Sequence, residues 1–151
     1  MNKLTIVALA VLAFAGCKKS SSAPPANIVG KWYLNSTTTT YYTNNTLTGT
    51  VNSEYIAHTY YATFNADGTG VAYNSVSNVP AIAPFNFTYT KSGNTITLNF
   101  PQQVINGVTY SPLLVQGTIQ TLADNNLTLL FTPPLIGNIG ASEKQTQYFE
   151  K

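Results

Sequence analysis

The sequence predicts an all-β domain built from antiparallel strands, and three observations carry that expectation. Apolar and polar residues alternate over segments of strand length from about Asn27 onward. Turn-forming clusters separate the segments, among them Asn44-Asn45, Ala66-Asp67-Gly68, Lys91-Ser92-Gly93-Asn94 and Ala123-Asp124-Asn125-Asn126. The composition suits strands and turns: 22 Thr, 16 Asn and 10 Ser stand beside 10 Tyr and 7 Phe in 151 residues. No stretch carries a helical period, and the length suits one domain rather than two.

Taken in order, Gly30 to Tyr42 opens the sheet, with Trp32 and Leu34 on one face and Lys31, Tyr33 and Asn35 on the other. Thr37 to Thr40 are β-branched and favour extended backbone. Thr46 to His58 reads either as a strand or as a loop with a helical turn. Tyr60, Ala62 and Phe64 then alternate with Tyr61, Thr63 and Asn65 before the turn into Thr69 to Asn74. Phe85, Phe87 and Tyr89 share a face, and Ile96, Leu98 and Phe100 return on the same side. Leu113 to Leu122 leads into Leu127 to Thr132; beyond Pro133-Pro134 and a Gly-rich loop, Lys144 to Glu150 makes the last strand. About eight antiparallel strands result, which can close into a small barrel or stack as a sandwich.

Charge excludes several functions. Only 8% of the residues are charged, and the seven basic residues are all lysines. Nucleic acid, which needs clustered cations on one face, is not an expected partner. Residues 1–16 have the design of an export signal: a Lys3 start, an apolar run from Leu4 to Phe14, then Ala15-Gly16 before Cys17, the one cysteine of the chain. The run is too short for a stable membrane span. A lone cysteine in an exported chain has no partner for an internal disulfide.

Phe14-Ala15-Gly16-Cys17 resembles the box of bacterial lipoprotein signals, with Phe14 where that family usually has Leu, Val or Ile. The resemblance implies cleavage before Cys17, a diacylglyceryl group on its sulfur and an acylated amino terminus. Several acyl chains on one residue hold far more firmly than one. Residues 17–26, which carry Ser and Pro and no apolar periodicity, read as a flexible tether to a domain at 27–151. By the sorting rules of such lipoproteins, Lys18 after the cysteine implies the outer membrane, on a face left open.

Ile28-Val29-Gly30-Lys31-Trp32 resembles the G-x-W signature of lipocalins. Further segments resemble bacterial lipocalin-like lipoproteins in the same order: Phe64-Asn65-Ala66-Asp67-Gly68-Thr69, Tyr89 to Ile96 with its Gly93-Asn94, Leu127-Thr128-Leu129, and Gln147-Tyr148-Phe149. The resemblance implies an eight-stranded meander barrel of the calycin type, with Gly30 admitting the chain to the first strand and Trp32 packed across one end. Lipocalins commonly brace that tryptophan with an arginine and add a C-terminal helix. This chain has no arginine and stops at its last strand, which implies a barrel that is shallow, partly open or filled by its own side chains.

Candidate sites are few. Glu54 and His58 would share a helix face as an acid–base or metal pair, but no other His and no available Cys exists to complete a metal site, and a polar loop pair is the plainer account. Asn65 to Thr69 lacks the carboxylates of a calcium loop. No G-x-S-x-G elbow is present, five acids offer little for a carboxylate pair, and no enzyme or cofactor is expected. Phe64, Phe87 and Leu129 are the expected lining of an apolar pocket, in which a neutral ligand is favoured because no arginine is there to clamp an anion. Tyrosines at 41, 42, 55, 60, 61, 73, 89, 110 and 148 could stack on sugars or simply pack the strands. The expectation is thus an anchored barrel binding a small apolar or amphipathic molecule, with a protein-interaction module and a carbohydrate binder as rivals.

Overall fold

A computed structural model describes residues 27–73, 84–105, 107–132 and 141–151. The signal, Cys17, the tether and the Gly-rich loop after Pro133 lie outside these residues. Among these residues eleven strands form: β1 (Gly30–Thr43), β2 (Thr46–Glu54), β3 (Tyr61–Phe64), β4 (Thr69–Tyr73), β5 (Phe85–Ser92), β6 (Thr95–Phe100), β7 (Gln103–Ile105), β8 (Val108–Tyr110), β9 (Leu113–Leu122), β10 (Asn126–Phe131) and β11 (Ala141–Glu150). Antiparallel pairing runs β1-β3-β4-β5-β6-β9-β10-β11 and returns to β1, so eight strands close a barrel as expected. Closure leaves the ring without an edge for another chain to pair with. Every described strand and core residue lies between Ile28 and Glu150.

Two features exceed the expected meander. The stretch 46–58 resolves into strand β2 followed by a turn, and β2 continues the sheet beyond the ring. β1 makes this possible through its length of 14 residues: Gly30 to Tyr33 pair with β3, and Ser36 to Thr43 pair with β2 along the same edge. Asn44 and Asn45 both take positive φ, 50° and 62°, the backbone of a tight two-residue hairpin turn that asparagine tolerates. The short hairpin β7–β8 is the second addition. Its Gln103 side chain acts as a piece of strand, accepting from the Asn86 N–H at 2.8 Å and donating to the Asn86 carbonyl at 2.9 Å.

The barrel has two unlike ends. At one, the connections are tight: Asn65 to Gly68, Gly93-Asn94, and Ala123 to Asn125. In the first of these, the Asp67 carboxylate accepts from the Thr69 amide at 2.9 Å and hydroxyl at 2.7 Å. These bonds, the hydroxyl's foremost, hold the Asp67 pKa below its ordinary 3.8. Nearby, burial first and the Asp67 charge second raise the Tyr89 pKa above 10.0. The strand ends joined by the longer connections, and the β1–β2 extension, lie at the opposite end.

Trp32 seals the tight end. Its ring is fully buried, and its indole N–H donates to the Ile28 carbonyl at 2.6 Å, folding the incoming chain beneath the barrel floor. The missing arginine is replaced. Lys151 sets its Nζ 4.5 Å from the centre of the Trp32 ring, a cation over the aromatic face. Gly30 lies beside this contact, and its φ of +133° is one that glycine adopts and other residues rarely do. The expected loss of the brace is therefore corrected, because a lysine at the far end of the sequence reaches the same ring.

The core fills from that floor upward. Leu34, Phe64, Ile96, Leu127, Leu129 and Phe149 are buried with Trp32 in one continuous cluster. Two inward rings lie flat against the wall rather than across the lumen. Phe87 rests on Gly70 of its partner strand, and Phe131 rests on Gly117. A Cβ at Gly117 would come within 2.6 Å of the Phe131 ring, so each glycine is the recess that receives its ring.

Candidate functional site

Phe64, Phe87 and Leu129 all sit in the buried cluster, with the Phe64 and Phe87 rings edge-to-face at 5.4 Å. They belong to the packed lower half of the barrel. On β5, β9 and β11 exposure of the inward face then rises toward the opposite end, while Phe100 and Phe131 at the ends of β6 and β10 stay buried. Phe87 is buried while Phe85 above it is half-buried; Val115 is buried while Leu113 is half-buried; Gln147 is buried while Gln145 and Glu143 are half-buried. Water thus reaches down the mouth to the level of Phe85, Leu113 and Gln145. These half-buried side chains above the Trp32 floor outline the open end of the barrel, the cup.

The cup has two unlike walls, and closure explains why they face each other. In a ring of eight, β11 lies opposite β5 and β1 lies opposite β6. On the β5–β6 side stand Phe85 and Phe100, with Tyr110 of the β7–β8 hairpin edge-on to Phe85 at 4.9 Å. On the β1–β11 side the inward residues are polar. A bulge at Asn35 resets the alternation of β1, so Thr37 rather than Ser36 follows Leu34 into the interior. Register then places Thr37 against Gln147, Thr39 against Gln145 and Tyr41 against Glu143.

Among the described residues Thr37 and Gln147 are the two buried polar ones, at 4% and 5% exposure. Such groups need partners. The Gln147 amide donates to Gln145 Oε1 at 2.8 Å, and the Thr37 hydroxyl lies 3.3 Å from the Tyr55 hydroxyl. Tyr55 in turn packs edge-on against Tyr60 at 5.0 Å, both leaning on the core. No described cation faces this cup. Lys31 covers the outer rings of Tyr61 and Tyr33, Lys144 covers Tyr42, Lys151 covers Trp32, and Lys91 belongs to the tight-end hairpin.

The remaining candidates separate. Glu54 ends β2, while His58 occupies the following turn at φ 60° with its ring edge-on to Tyr33 at 4.4 Å. Among the described residues no cluster of His, Cys, Asp or Glu could hold a metal. Tyr61 and Tyr73 stack at 5.8 Å on the outer wall, and Tyr33 meets Tyr61 edge-on at 6.5 Å, so these rings engage one another. A polar groove of about 270 Å³ on the outer wall, lined by Thr95, Gln116, Thr118 and Leu130 among others, has no charged or aromatic group. The mouth also carries exposed apolar side chains: Leu47 and Val51 on β2, Ile56 beside it at 79% exposure, Val104 and Val108 on the small hairpin, and Leu114. Sequence reasoning missed the glutamine–threonine wall. Its signal was the change from apolar to polar at alternate positions of β11, Phe149 to Gln147 to Gln145.

No curated protein and no solved structure matches the chain. The family profile described as a lipocalin-like domain matches residues 28–129, well over half of the sequence. The match begins at the Ile28 that Trp32 binds and ends at Leu129 in the core, short of the β11 strand that closes the ring. With the barrel, the G-x-W floor and this match in agreement, the chain belongs to the lipocalin-like domain family.

Proposed function

We propose that this chain is a non-catalytic binding protein, anchored by acyl chains on Cys17, that carries a small apolar or amphipathic molecule in the cup at its open end. The observation that carries the reading is the gradient along the barrel axis, from a floor closed by Trp32 to inward side chains that water reaches. An aromatic wall facing a few placed polar groups is the usual make-up of a small-molecule site. Native mass spectrometry of the protein released gently from its own envelope tests it. A reproducible added mass that leaves on denaturation supports carriage; a bare chain that stays bare after incubation with envelope lipid extract refutes it.

The anchor and the outer-membrane address rest on the resemblance of residues 14–17 and on Lys18. Cys17→Ser removes the acylated sulfur. The protein then leaves the membrane fraction and loses the mass of the acyl groups, whereas unchanged fractionation and mass would overturn the anchor.

A second reading, an accessory protein working through its surface, draws on the apolar side chains at the mouth, Leu47, Val51, Ile56 and Val104 among them. It requires one stoichiometric partner in purifications from intact envelopes. A protein that purifies alone each time counts against it.

A further inference from the structure

The two walls of the cup specify more than an apolar ligand. Gln145 and Gln147 project from β11 on one inward face, between Thr37 and Thr39 of β1 on one side and Leu129 and Phe131 of β10 on the other. Gln147 is nearly sealed from water, at 5% exposure. Each glutamine amide has two donors and a carbonyl with two lone pairs. Among the described residues their side chains share one bond, from Gln147 Nε2 to Gln145 Oε1. That leaves the Gln147 carbonyl oxygen, one of its N–H donors and both donors of Gln145 for another molecule. Among the described residues no buried side-chain N or O atom lacks a hydrogen-bond partner, so the amide groups this pair leaves over are ones that water reaches and a ligand would take over by displacing it.

Charge decides what completes them. One rung above, on the same inward face, stands the Glu143 carboxylate opposite Tyr41. The lysines of the described residues point elsewhere, onto outer rings, onto Trp32 or from the tight-end hairpin. A ligand carboxylate placed at the glutamines would lose its water, meet no cation and lie close to a like charge. An uncharged group that both donates and accepts would meet matching amides.

Resting on the reading of the cup as a ligand site, we propose that it selects a single-chain amphiphile with a neutral, hydrogen-bonding head group, a hydroxyl or an amide. The head bonds to Gln145 and Gln147, and the chain lies against Phe85 and Phe100. Carboxylate-headed chains of the same length are disfavoured.

The test uses residues 27–151, the span that holds every described strand, first checked to be folded by circular dichroism, and the fluorescent probe N-phenyl-1-naphthylamine. Displacement by monodecanoylglycerol is compared with displacement by decanoate at pH 8, below the critical aggregation concentration of each. The glyceride should displace the probe at concentrations roughly tenfold lower, the scale of one or two net hydrogen bonds. Gln145→Met, at a half-exposed position that tolerates change, should narrow the gap to roughly threefold or less, and Gln147→Met should do the same where circular dichroism shows it folded. Glu143→Gln should improve decanoate selectively, by a few-fold. Equal displacement by the two amphiphiles in the unaltered protein, with the probe bound, overturns the head-group inference and leaves the cup standing. A probe that never binds, with neither amphiphile protecting the barrel against urea, overturns the cup itself.

Discussion

Gly70→Ala is the most informative single change to the barrel. An added Cβ would fall on the Phe87 ring, at Cζ and Cε2, and would stand 2.6 Å from the Thr63 carbonyl oxygen. The carbonyl belongs to the β3–β4 ladder, where Phe64 pairs with Gly70 and Thr63 with Val71, so it recedes only by opening that ladder. The ring has little freedom either, because Phe64 and Phe100 each stand 5.4 Å from it, centre to centre. Overpacking of this kind costs about 1–3 kcal/mol. Replacing glycine also restricts the unfolded chain, which offsets about 0.4–1 kcal/mol. The net destabilisation is therefore about 1–2 kcal/mol, read as a lowered urea midpoint at unchanged slope. Trp32 fluorescence follows the transition, since this buried ring is the sole tryptophan. Phe87→Leu removes the far edge of the ring, so in the double variant the two costs should fall short of their sum by at least about 0.5 kcal/mol. A Gly70→Ala protein as stable as the original, or strict additivity with Phe87→Leu, would show that the ring does not rest in the glycine recess.

Three further outcomes follow from other contacts. Lys151→Ala should cost about 1 kcal/mol and shift Trp32 emission to the red as water reaches the ring, while Lys151→Arg should preserve both; an unchanged emission and midpoint would dismiss the contact. The lowered Asp67 pKa means that its contribution is present above the unfolded value and is lost as pH falls through the folded one, so the urea midpoint should drop below about pH 4 and Asp67→Asn should flatten that decline. An acid limb identical in the variant would refute this. Gln103→Ala removes both bonds to Asn86, so amide exchange over residues 103–110 should quicken by roughly tenfold, and unaltered protection would show that the hairpin is held by other contacts.

Much of the barrel was legible because period two is a local property. Trp32 and Leu34, Phe85 and Phe87, and Ile96, Leu98 and Phe100 declare their face by alternation alone. The run Thr37 to Thr40 does not, since four identical residues carry no phase and the Asn35 bulge shifts it by one. β7 and β8 are three residues each, too short for a period to show. The Gly30 and Trp32 signature was visible, but its lysine was not, because only the closed ring brings residue 151 beneath residue 32. The cup is hidden for the same reason. That β11 opposes β5 is a statement about a circle, and nothing local in either strand records it.

The described residues begin beneath the barrel floor, where the Trp32 indole holds the Ile28 carbonyl. A tether spanning residues 17–26 would start from that sealed pole and reach about 33–36 Å at full stretch. Acyl chains at Cys17 would then hold the barrel like a buoy moored from below, its mouth turned to the aqueous side. Cargo taken from the mooring leaflet would have to cross water or be handed over from above. Traffic to the cup would then favour a source or acceptor across the gap over the bilayer that holds the protein.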